Sequence, residues 1–120
     1  MHLSKIIKSE RQQKALDNAI SKIISSKIYP FVTELYLYGS CARGEEKFNS
    51  DVDLFMVLSE TFSDNIALLK KDLRILKSQV SSDELYDPEV DLKIVIGNAW
   101  LDNQLPYYKN VRKDGIRICH

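Results

Sequence analysis

The chain has 120 residues, 44% hydrophobic and 28% charged, with only four Gly and three Pro. That length and balance suit one globular domain (1–120) with a core of its own, and exclude disordered, collagen-like and Gly/Pro-rich low-complexity chains. Seventeen Lys plus Arg offset seventeen Asp plus Glu, for a net charge of +0, which argues against a chain that relies on attraction to a long polyanion such as nucleic acid.

The first predicted element is an amphipathic helix from about Ser9 to Lys27. Ala15, Ala19, Ile20, Ile23 and Ile24 recur at helical spacing, with Lys14, Asp17, Asn18 and Lys22 between them. Ser9 offers a cap, and Tyr29-Pro30 ends the helix, because the residue before proline avoids helical angles. Val32 to Tyr38 is aromatic and β-branched, stops at Gly39-Ser40, and reads as a strand with a tight turn. A short polar piece, Cys41 to Phe48, leads to a second strand, Asp51 to Leu58, apolar enough at its far end to be buried on both faces.

Thr61 to about Val80 reads as a long helix with a stripe of Ile66, Leu69, Leu73, Leu76 and Val80, capped by Ser63 or Asp64. A polar connection, Ser81 to Glu89, precedes a third strand, Val90 to Ile96, stopped by Gly97-Asn98. A last helix is expected from about Ala99 to Arg112, perturbed at Pro106 and ended at Asp114-Gly115. Ile116 to Cys119 follows as a short extended piece. This order describes an α/β (α+β) fold, a small mixed sheet flanked by helices.

Cys41 and Cys119 fit no CxxC pattern, so neither a zinc knuckle nor a redox motif is supported. No stretch approaches the ~20 apolar residues of a membrane span, and the first ten residues do not resemble a signal peptide. The expectation is a soluble, cytoplasmic protein.

The chemistry concentrates in Gly39-Ser40 and, after ten residues, Asp51-Val52-Asp53-Leu54. Side chains two apart on a strand share a face, so Asp51 and Asp53 project together, roughly 7 Å apart at the backbone. Two like charges on one face repel, and a divalent cation relieves them. If the third strand lies beside the second, Asp91 joins them. Three carboxylates without His or Cys ligands form an all-oxygen site suited to magnesium or manganese, which share their remaining positions with water and phosphates. Gly39 lets backbone approach a ligand, and a helical turn starting at Ser40 offers unpaired N–H groups to an anion. Arg43, one turn on, can reach a phosphate or pair with Glu45 or Glu46.

The run Gly39-Ser40-Cys41-Ala42-Arg43-Gly44 with Ser50-Asp51-Val52-Asp53-Leu54 resembles the signature of the DNA polymerase β-like nucleotidyltransferases, and most of all their minimal, antitoxin-type members. The resemblance implies the palm-like nucleotidyltransferase fold. It also implies two-metal transfer of a nucleoside monophosphate, AMP from ATP, to a hydroxyl with release of pyrophosphate. Asp51 and Asp53 would hold both Mg2+ ions. Asp91 would hold the ion at the attacking hydroxyl and help deprotonate it, while Gly39, Ser40 and Arg43 would bind the nucleotide. Family members of this length typically lack an acceptor-gripping domain, and many resemble antitoxins paired with a small all-helical partner of the HEPN type, which implies a partner tyrosine as the acceptor. A small-molecule acceptor such as an aminoglycoside, and an antitoxin that acts by contact alone, are the alternatives. Self-association stays open.

Plainer roles stand beside these. Asp51 and Asp53 can form a solvated strand face, and Asp91 can cap a turn or pair with Lys93. Cys41 reads as a small filler, since no histidine is near it in sequence. Lys5, Lys8, Arg11 and Lys14 read as a solvated helix face. Trp100, Tyr107 and Tyr108 are either core or a partner surface. His2 and His120 are assigned no role.

Overall fold

The structure, a computed structural model, describes residues 5–119; His2 and His120 lie outside them. Helix α1 spans Glu10–Ser25. Ser9 caps it as expected, its hydroxyl accepting the Gln12 N–H at 3.5 Å. A 3-10 turn, Tyr29–Phe31, carries Pro30 in its first positions and delivers the chain into β1, Val32–Tyr38. A single helical turn α2, Ser40–Arg43, separates β1 from β2, Val52–Leu58. Helix α3 is Ile66–Gln79 and β3 is Val90–Ile96. Helix α4, Pro106–Asp114, leads into β4, Ile116–Cys119.

The four strands form one mixed sheet in the order β3-β2-β1-β4. β1 runs antiparallel to both β2 and β4, and β2 runs parallel to β3. Strand alternation divides the side chains between two cores. On one face Leu35, Leu37, Val52, Leu54, Met56, Leu58 and Leu92 pack against Leu16, Ile20 and Ile23 of α1 and Leu76 of α3. On the other, Tyr38, Phe55 and Val57 pack under Trp100 and Val111, with Tyr107 and Tyr108 partly buried against them. The apolar part of β2 is therefore buried on both faces, as its composition predicts. Trp100, Tyr107 and Tyr108 resolve as core and core-margin side chains.

Two expected helices differ. Residues 61–80 are not one helix: Glu60–Asn65 is a 3-10 turn and α3 begins only at Ile66, without a cap from Ser63 or Asp64. Phe62 is the cause, being completely buried and set edge-on to Phe31 with 5.6 Å between ring centres. Anchoring it tightens the first turn and resets the helix, which leaves Ile66 at 45% exposure instead of in the stripe. The segment from Ala99 is likewise a 3-10 turn, Ala99–Asp102, followed by a break. Leu105 is extended (φ −62°, ψ 144°), as the residue before proline prefers, and Pro106 starts α4, where its missing N–H costs nothing. Among the described residues no helix is long and apolar enough to cross a membrane.

Candidate active site

Register places the key side chains in one row. Tyr38 of β1 is the partner of Asp53 on β2, and Asp53 is the partner of Asp91 on β3. Paired residues share a sheet face, so the phenol and both carboxylates lie side by side across the adjacent strands β1, β2 and β3. The Val52 N–H donates to the Glu89 carbonyl at 2.9 Å and ties the starts of β2 and β3 together. Asp51 lies one residue before β2 and is exposed; Asp53 is half-buried; Asp91 is exposed.

Gly39 explains how Asp53 fits. A Cβ at Gly39 would lie 2.4 Å from Asp53 Oδ2, so the carboxylate rests against glycine backbone. Gly39 also holds φ +79°, a conformation that L side chains rarely adopt. Helix α2 starts immediately after it, with the Ala42 and Arg43 N–H groups turning back to the Gly39 carbonyl at 3.1 and 3.2 Å. The helical turn expected at Ser40 is present, set beside Asp53.

Burial, then the charges of Asp91 and Asp51, push the Asp53 carboxyl up to about 6, with Lys93 and Arg43 working in the opposite direction. Burial, then Asp53 and Asp91, also raise the Tyr38 phenol, which stays protonated. Asp53 thus feels both neighbouring carboxylates, and the all-oxygen chemistry and like charge of the three fit a hard divalent cation. They do not form a closed cage: among the described residues no group of three or more His, Cys, Asp or Glu side chains is gathered to hold a metal ion. Asp91 is instead engaged by Lys93, whose Nζ donates to Oδ2 at 3.1 Å. Arg43 forms surface ion pairs, to Glu45 at 2.5 Å and to Asp114 at 3.3 Å. Cys41 is buried, donates to the Asp51 carbonyl at 3.5 Å, and is pushed up to about 11 by burial and then by Glu46. That is a filler and not a nucleophile.

Sequence reasoning passed over the support of the loop between α2 and β2. Gln12, fully buried on α1, donates its amide to the carbonyls of Lys47 and Phe48, both at 3.0 Å, and of Ser50 at 3.3 Å. Arg11, taken as part of a solvated basic face, donates to the Phe48 carbonyl at 3.1 Å and to the Tyr86 carbonyl, and lies over the Phe48 ring. These two residues fasten the segment that delivers Asp51. A signal existed for Gln12: it sits at i, i+3, i+4 and i+7 spacing with Ala15, Leu16 and Ala19, on the apolar stripe.

The model of the nucleotidyltransferase domain family matches residues 18–119. The chain belongs to that family. No curated protein sequence matches it significantly. Three of the similar solved structures follow. One is a toxin–antitoxin crystal structure with AMP-PNP, at 23% identity and TM-score 0.53, covering 86% of this chain and 71% of that one. A second is a candidate nucleotidyltransferase from Sulfolobus solfataricus, at 21% identity and TM-score 0.46, covering 92% and 87%. A third is the Elizabethkingia meningoseptica cyclic dinucleotide synthase CdnE with GTP and Apcpp, at 18% identity and TM-score 0.49, covering 73% of this chain and 38% of that one. The first shares the fold with this nucleotidyltransferase domain, and the resemblance read from Gly39-Ser40 and Asp51-Val52-Asp53 is borne out at the level of the family.

Proposed function

We propose that this nucleotidyltransferase domain transfers AMP from ATP to a hydroxyl of a partner protein, as the antitoxin half of a toxin–antitoxin pair. The observation that carries the reading is the register of Asp53 with Asp91, beside the Gly39-Ser40 turn and within charge range of Asp51. The similar toxin–antitoxin structure with AMP-PNP supports the choice of partner and nucleotide. Asp51, Asp53 and Asp91 would hold Mg2+. When bound, the metal supplies charge stabilisation to the attacking and leaving oxygens.

The chain's own residues do the rest. The start of α2 would offer the Ser40 and Cys41 N–H groups to the phosphates, those of Ala42 and Arg43 being turned back to the Gly39 carbonyl, with the Ser40 hydroxyl as a further donor. The acceptor hydroxyl oxygen attacks the α-phosphorus and the bond to pyrophosphate breaks. Asp91, on the exposed end of the row, takes the hydroxyl proton. Asp51 and Asp91 are exposed, which suits a bulky acceptor better than a small one held in a closed pocket.

The test is incubation with α-labelled ATP, Mg2+ and the product of the adjacent gene. Label is expected on the partner, with Asp53→Asn reducing transfer by about a hundredfold or more. No transfer, or transfer equal in wild type and Asp53→Asn, overturns the reading. Neutralisation of the partner that survives replacement of both Asp51 and Asp53 by Asn assigns the protein to inhibition by contact.

A further inference from the structure

Lys93 stands two residues beyond Asp91 on β3 and so projects from the same sheet face. Its ammonium lies 3.1 Å from Asp91 Oδ2 and 6.0 Å from the centre of the Tyr107 ring. The side chains of Lys93 and Asp91 retain 40% and 47% of their exposure. An exposed ion pair of this kind is weak, and a flexible four-carbon stem lets the ammonium move without disturbing the strand. The ring face of Tyr107 gives it a second place to rest close by. Asp53 and Asp91 are register partners, yet among the described residues no three such side chains are gathered to hold a metal ion.

We infer that Lys93 is a placeholder cation that occupies Asp91 in the metal-free protein, competes with the divalent ion for that carboxylate, and withdraws towards Tyr107 when the ion binds. The inference rests on the proposed metal-dependent function and adds a control to it. While Lys93 holds Asp91, the carboxylate assigned to the acceptor proton is engaged by the ammonium, and it joins the metal site only when the ion displaces Lys93. Lys93 acts through Asp91 and is a positioning residue.

Binding of Mn2+ alone, without nucleotide, tests this, with the free ion followed by electron paramagnetic resonance. Lys93→Met keeps the apolar stem and removes the charge; Lys93→Arg keeps the charge. Lys93→Met is expected to bind Mn2+ about threefold more tightly than wild type, or better, and to gain more in melting temperature when Mn2+ is added. Lys93→Arg is expected to stay close to wild type on both measures. A melt in EDTA establishes that each variant is folded. Equal Mn2+ affinity in wild type and Lys93→Met overturns the role of Lys93 and leaves the metal site standing. Absence of saturable Mn2+ binding in wild type, in both Lys93 variants and in Asp53→Asn overturns both.

Discussion

Gly39 and Asp53 are a matched pair, the one shaped by the other. An added methyl at Gly39 meets a carboxylate oxygen at 2.4 Å and must also accept φ +79°. Gly39→Ala is therefore expected to cost on the order of 1–3 kcal/mol in urea unfolding and to reduce AMP transfer as well. Unchanged stability and transfer would contradict the fit. Asp53 carries a second expectation. Its carboxyl is raised to about 6 in the folded, metal-free protein, against roughly 3.9 in an unfolded chain. Between those values the folded state binds more protons than the unfolded one, so stability falls as pH rises from about 4 to about 6. Discounted for partial exposure, the loss is on the order of 1 kcal/mol. Asp53→Asn should flatten that slope and be more stable than wild type at pH 7 in EDTA; an unchanged slope would show that another group sets it. The turn at Gly39-Ser40 and the strand that carries Asp53 were legible because a Gly-Ser pair closes one β-rich run and a second apolar run follows Asp51. The pairing of Arg43 with Asp114 was not, since it joins residues 71 positions apart.

The elements divide between those set by local pattern and those set by a distant anchor. β1 and β3 begin and end where their β-branched runs do. The segment at 60–65 follows Phe62, whose burial is a tertiary fact that no periodicity within 61–80 announces. The loop between α2 and β2 is a clearer case, because its shape is held by α1. Gln12→Ala removes three amide donations to the carbonyls of Lys47, Phe48 and Ser50. The expected cost is about 1–3 kcal/mol, with faster amide hydrogen exchange across residues 47–50 and weaker metal binding through Asp51. Exchange and metal affinity equal to wild type would mean that the loop holds its shape without α1.

At the scale of the molecule, the strand order makes the site. The parallel crossover through α3 places β3 against β2, which aligns Asp91 with Asp53. The antiparallel return of β1 brings Gly39 to the same end. The condition under which Asp91 joins the pair, β3 lying beside β2, is met in register. The addition of β4 to the far side of β1, and the hold of Lys93 on Asp91, come only from the folded chain. In the proposed function these carboxylates and the Gly39-Ser40 turn together receive a metal-bound triphosphate. Isothermal titration of ATP into the protein with Mg2+ is the direct measurement. Saturable binding is expected with Mg2+, lost in EDTA and lost in the variant that carries both Asp51→Asn and Asp53→Asn. Binding that ignores Mg2+, or that persists in that folded variant, would contradict it.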